Sequence, residues 1–120
     1  MAKVMVVDDA YSDLKVIENI LQSAGHQVLT FLDGDQLEDK VATERPDMVL
    51  LDIIMPKRNG YEILRNLKKD ERTKATPVVV VSSRNQASDI AWGRRQGAND
   101  YLPKPFTSEQ LLKVVEQFAR

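Results

Sequence analysis

The chain has no cysteine and a single histidine, His26, among its 120 residues. A disulfide framework, a thiolate metal centre and a histidine-built zinc cluster are therefore excluded. No apolar run approaches the ~20 residues that a bilayer-crossing helix needs, and Met1-Ala2-Lys3-Val4 lacks the apolar stretch of a secretory signal, so membrane insertion is not expected and a cytoplasmic location is. An excess of one charge is missing too. With 17 basic and 18 acidic residues the formal net charge is -1, which gives no electrostatic reason to bind nucleic acid. The five glycines form no phosphate-cradling motif, and this argues against nucleotide or dinucleotide chemistry.

What is present describes an ordinary globular chain, 42% hydrophobic and 29% charged, long enough to bury a core as one domain over residues 1–120. Short apolar runs alternate with segments of helical period. Strands are expected near 3–7, 27–32, 47–51, 77–82 and 99–102, and helices near 12–24, 35–43, 60–69, 86–96 and 107–119. The first helix carries Leu14, Ile17, Leu21 and Ala24 on one stripe and is followed by Gly25, suited to the position just past a helix end. In the last, Thr107 and Gln110 have the spacing of a capping box, and Leu111, Val115 and Phe118 point inward. The second helix is short, with Leu37 and Val41 as anchors, and the fourth contains Gly93 and only a thin stripe of Ile90 and Ala91. The run Val78-Val79-Val80-Val81 is apolar on both faces, as in the middle of a parallel sheet covered on both sides. These features predict a doubly wound α/β fold: a five-stranded parallel sheet with five helices.

Two of the apolar runs end in acids: Val4-Met5-Val6-Val7 in Asp8-Asp9, and Met48-Val49-Leu50-Leu51 in Asp52. Open α/β sheets bind ligands beyond the carboxyl ends of their strands, where strand order reverses. In the order 2-1-3-4-5 the first and third strands are neighbours about 4.8 Å apart, and their terminal carboxylates come within reach of one small ion. Such carboxylates raise one another's pKa unless a proton or a cation neutralises them. Oxygen ligands on short side chains favour Mg²⁺, with Mn²⁺ as the alternative. Helix capping would explain one of these acids, not the pair and Asp52 together. The fourth strand ends in Ser82-Ser83 and the fifth is followed by Lys104-Pro105, where an X-Pro bond able to be cis can aim the lysine. Acids, a hydroxyl, a lysine and a divalent cation describe a phosphoryl site with a carboxylate available as nucleophile.

With Asp8-Asp9, Leu51-Asp52-Ile53-Ile54-Met55-Pro56, Asn59-Gly60, Ser82 and Tyr101-Leu102-Pro103-Lys104-Pro105-Phe106 in place, the whole chain resembles the receiver domain of two-component response regulators, whose fold is flavodoxin-like. The resemblance implies a phospho-accepting switch fed by a histidine kinase. Asp52 would be the acceptor, Asp9 a direct Mg²⁺ ligand, Asp8 a ligand directly or through water, and the Ile54 carbonyl the remaining protein ligand. Ser82 would follow the phosphoryl group, Lys104 would pair with one of its oxygens, and Tyr101 would be the aromatic switch that turns inward when Ser82 moves. Partner affinity would change on the face of the fourth helix, fifth strand and fifth helix. The segment Ala91-Trp92-Gly93-Arg94-Arg95-Gln96-Gly97-Ala98 is similar to stand-alone receivers of chemotaxis-type and type IV pilus motility systems, which implies a separate downstream protein target and a monomer or weak phosphorylation-dependent dimer. Trp92 with Arg84, Arg94 and Arg95 is a candidate docking surface, since Trp and Arg are favoured interface anchors.

Three rival readings compete with this one. An aspartyl-phosphate phosphohydrolase carries a second Asp two residues after the nucleophile, where this chain has Ile54. A flavin binder needs a hydroxyl-rich loop after the first strand, whereas Asp8-Asp9-Ala10-Tyr11-Ser12-Asp13 would repel a phosphate. The third, a phosphorylation-independent interaction domain, is the alternative that intact acids, hydroxyl and lysine argue against. The expected chemistry is thus self-phosphorylation and self-dephosphorylation, not turnover of a separate substrate.

Overall fold

The computed structural model describes residues 1–55 and 57–119. Its strands are β1 (Lys3–Val7), β2 (Gln27–Phe31), β3 (Met48–Leu51), β4 (Val78–Ser82) and β5 (Asp100–Pro103). Its helices are α1 (Tyr11–Ser23), α2 (Leu37–Glu44), α3 (Gly60–Lys69), α4 (Ala87–Arg95) and α5 (Ser108–Phe118). All strand pairs are parallel and the order is β2-β1-β3-β4-β5, as the strand-end argument required.

The strands are apolar on both faces because both faces are covered. Val4 and Val6 of β1 pack with Leu14, Ile17 and Leu21 of α1 and Leu111 and Val115 of α5. Their neighbours Met5 and Val7 pack on the opposite face with Leu37 and Val41 of α2 and Ile63, Leu64 and Leu67 of α3. Period-2 alternation thus serves two cores rather than one core and solvent. At ~25 cal/mol per Å² of apolar surface, each fully buried Val, Leu or Ile contributes about 1.5–3 kcal/mol, which makes these two layers the main source of stability.

Helix ends follow the local chemistry. Thr107 Oγ1 accepts from Gln110 N–H at 3.1 Å while Gln110 Oε1 accepts from Thr107 N–H at 2.8 Å, the reciprocal cap expected for α5. Gly25 takes φ +90° one residue past the α1 cap, a left-handed conformation that costs glycine little. Three expectations are corrected. Ala24 is exposed, because α1 ends at Ser23 before the stripe returns to the sheet. The second helix begins at Leu37, not 35: Asp33 Oδ1 accepts from Asp35 N–H at 2.9 Å, a local turn that competes with helix. In α4 Ala91 is exposed and the buried residue is Gly93. Among the described residues, no helix is long and apolar enough to cross a membrane.

Candidate functional site

The register brings the acids together. Val7 of β1 lies beside Leu51 of β3, so Asp8 and Asp52 leave the sheet at the same height, and Asp52 N–H donates to the Val7 carbonyl at 2.9 Å. Asp8, Asp9 and Asp52 each offer a carboxylate oxygen within 4.8 Å of the others. Asp8 and Asp52 are buried and Asp9 is exposed, which leaves the cluster open on one side.

Lys104 stands one residue past β5, where its N–H donates to the Ser82 carbonyl at 2.8 Å; the Lys104–Pro105 peptide bond is cis. Its ammonium reaches across to Asp8 Oδ2 at 2.7 Å, Asp13 Oδ2 at 2.9 Å and Asp52 Oδ2 at 3.1 Å. The remaining oxygens of the two buried acids are held by their own loops: Asp8 Oδ1 accepts from Ala10 N–H and Asp52 Oδ1 from Ile54 N–H, both at 2.9 Å. Both carboxylates are thus fixed by one backbone and one ammonium donor. Burial pushes the Asp8 carboxyl above its ordinary value, and the hydrogen bonds from Lys104 and Ala10 offset this only in part. Burial would lower the Lys104 ammonium, but hydrogen bonds to Asp8 and Asp13 and the charge of Asp52 outweigh it, so the lysine is held charged well above its usual range.

The cluster matches a small hard cation: carboxylate oxygens, no sulfur and no imidazole, at strand ends close enough to share one ion. Asp13 is the residue that sequence reasoning missed. It lies in the first turn of α1, and its only sequence signal was a further acid in the loop and helix start that follow Asp8-Asp9.

Ser82 is fully buried at the end of β4, and its Oγ accepts from Arg84 N–H at 3.2 Å. A hydroxyl that accepts one bond keeps its proton to donate. Tyr101 lies inward, 6% exposed, its hydroxyl donating to the Arg84 carbonyl at 2.6 Å, and burial pushes its pKa up to about 12. Gly93 makes that position possible: a Cβ there would sit 2.9 Å from Tyr101 Cδ2 and 3.0 Å from Cε2. Gly60 has a comparable role beside Asp52, since a Cβ there would collide with the Ile53 backbone, so α3 can start against the loop only with glycine. Asn59 caps that helix by accepting from Tyr61 N–H at 2.9 Å. Pro56 of the motif lies outside the described residues.

Ile54 and Arg84 line one cavity of about 410 Å³ with Ile53, Met55, Asn59 and Tyr61, beside the loop that leaves Asp52. Trp92 is half exposed and meets Tyr61 edge-on at 6.4 Å, while Arg94 pairs with Asp100 at 3.0 Å and Arg84 with Asp89 at 3.7 Å.

Comparison with known proteins agrees with this geometry. Residues 4–116 match the model of the response regulator receiver domain. The chain is 43% identical to protein PilH of Pseudomonas aeruginosa over 115 residues, covering 96% of this chain and 95% of that protein. It is 37% identical to protein PilG of the same organism, covering 95% of this chain and 84% of PilG. The fold superposes on the Vibrio cholerae chemotaxis protein CheY4 with a TM-score of 0.89 at 32% identity, covering 98% of each chain. With strand-end acids, a buried hydroxyl and a shared lysine set on this fold, the chain belongs to the receiver-domain family of response regulators, the phosphorylation-dependent switches of two-component signalling.

Proposed function

We propose that Asp52 is the phospho-acceptor of this switch and that Asp8, Asp9, Asp52 and the Ile54 carbonyl hold Mg²⁺, or Mn²⁺ in its place. The observation that carries the reading is the convergence of Lys104 on Asp8 and Asp52 beside exposed Asp9, a preassembled cluster of opposite charges in a largely buried setting. An Asp52 oxygen attacks phosphorus in line; the bond from phosphorus to a histidine nitrogen of a kinase, or to the acyl oxygen of a small phosphate donor, breaks as the new P–O bond forms. Lys104 neutralises oxygens of the transferring group, and its place is fixed in advance, so little reorganisation is needed. The cation, when bound, shields the same developing charge. Ser82 then donates its hydroxyl proton toward the phosphoryl oxygens. Because Ser82 Oγ and Tyr101 Oη both bond to the Arg84 backbone, movement of Ser82 is mechanically linked to the Tyr101 ring. The output is partner affinity on the α4-β5-α5 face.

The chain 1–120 thus acts as one switch unit that catalyses only its own phosphorylation and dephosphorylation. Its partners are a histidine kinase and a downstream protein target in the cytoplasm, and it is a monomer or a weak phosphorylation-dependent dimer. Similarity to the chemotaxis protein CheY4 supports motility or chemotaxis-type signalling. Incubation with Mg²⁺ and acetyl phosphate, followed by intact mass, tests the acceptor. The wild type should gain one phosphoryl group and Asp52→Ala none. Gain by both proteins would place the acceptor elsewhere; gain by neither, repeated with a phosphorylated kinase, would favour a phosphorylation-independent interaction domain.

A further inference from the structure

We propose that Asp13 is a positioning residue that holds Lys104 at the phosphoryl side of the site when the divalent cation takes over Asp8 and Asp52. An ammonium has three N–H donors, and those of Lys104 are matched by carboxylate oxygens of Asp8, Asp13 and Asp52 at 2.7, 2.9 and 3.1 Å. Two of these acceptors belong to the cluster suited to the cation, and Asp13 does not. Lys104 and the cation therefore compete for the same two carboxylates. The lysine loses attraction from both as the ion binds, at a point where its ammonium is needed for the incoming phosphoryl oxygens. Asp13 offers an acceptor the ion does not claim. It sits on the first turn of α1, its side chain 48% exposed, against 13% for Lys104. The bond to Asp13 is already formed, at 2.9 Å, so the ammonium keeps one partner without leaving its place. A Lys104 that keeps Asp13 costs less to leave beside the cation than one stranded among carboxylates the cation has claimed, so Asp13 favours cation binding through the lysine without being a ligand.

The inference rests on the cation site proposed above, and a double-mutant cycle separates the two. Mg²⁺ affinity is measured by titration calorimetry at about 0.15 M salt, where exposed charges more than ~8 Å apart are largely screened. The four proteins are wild type, Asp13→Asn, Lys104→Met and the double variant, each checked for an unchanged thermal midpoint; Lys104→Gln is a second background should Met fail to fold. Asp13→Asn should weaken Mg²⁺ binding about threefold or more, the size expected for a coupled, partly exposed ion pair. Lys104→Met should tighten binding because the competing cation is gone. Adding Asp13→Asn to Lys104→Met should then change affinity by less than about 1.5-fold, since contacting residues couple and unlinked ones do not. An equal loss in both backgrounds would show Asp13 acting on the ion by its own charge and would overturn the proposal. So would an Asp13→Asn protein with wild-type affinity, or a Lys104→Met protein that binds no tighter. A wild type that binds no Mg²⁺ would overturn the site itself, and this inference with it.

Discussion

Asp52 is gripped from both sides, by Ile54 N–H on one oxygen and Lys104 on the other. The acids at the ends of β1 and β3 and the lysine after β5 were legible in the sequence because a strand end is a fixed address: parallel pairing allows few heights at which these residues can emerge. Asp13 had no such address, since its contact with Lys104 depends on how α1 lies over the loop after β5. On the proposed assignment of Asp52, neighbouring side chains should set the lifetime of the phosphoryl state. Ile54, 45% exposed, and Arg84 border the same cavity beside the loop that leaves Asp52, where an apolar side chain and a long cation should restrict the approach of hydrolytic water. Ile54→Asn combined with Arg84→Glu should speed loss of phosphate about tenfold, about 1.4 kcal/mol in barrier, measured by phosphate release after donor removal. Unchanged release in the double variant would mean that these side chains do not limit water.

At the scale of elements, α4 and β5 show how a residue that weakens a helix in isolation can be required by its packing. Gly93 costs about 1 kcal/mol of intrinsic helix propensity, yet it is the buried residue of α4 because the Tyr101 ring occupies the space a side chain would take. Sequence periodicity pointed to Ile90 and Ala91 instead; it ranks side chains by hydrophobicity and cannot register a contact made by having none. Gly93→Ala should displace the ring and destabilise the domain by about 1–3 kcal/mol, the usual cost of overpacking. Fluorotyrosine NMR should show the Tyr101 resonance moving from a buried to a solvent-exposed environment. A Tyr101 signal that stays buried in the variant, with unchanged stability, would show that the ring is not held by this fit. If it does move, the substitution also supplies a form with the α4-β5 face altered without phosphorylation.

For the molecule as a whole, a polar tie reinforces from the surface the layer in which α2 and α3 share an apolar core. Arg58, in the loop between β3 and α3, makes a bidentate pair with Glu38 of α2 at 2.7 and 2.6 Å and also donates to the Gly34 carbonyl at 3.0 Å. Asn66 of α3 donates to the same Glu38 at 3.0 Å. The Arg58 hydrogen bonds hold the Glu38 carboxyl at about 2, below the ordinary 4.5. A carboxylate whose pKa is lower folded than unfolded contributes stability that is fully present above the unfolded value and lost as pH falls through the folded one. The contribution should therefore persist above about pH 4.5 and disappear toward pH 2. At pH 7, Glu38→Gln should cost about 1–2 kcal/mol in urea unfolding, solvent screening reducing the full linkage value, and the difference from wild type should vanish near pH 2. The same loss at both pH values would assign the effect to packing.

The order of elements, the two-sided core and the acids, hydroxyl and lysine of the site were determined by the sequence by itself, because hydrophobic period and strand-end placement are local properties that parallel pairing carries into three dimensions. Only the tertiary structure decided which carboxylates share Lys104, that Tyr101 lies inward against Gly93, and that Arg58 ties its loop to α2. Each of these contacts joins different elements through side chains whose direction depends on how helices settle on the sheet, and no spacing within one segment encodes that angle.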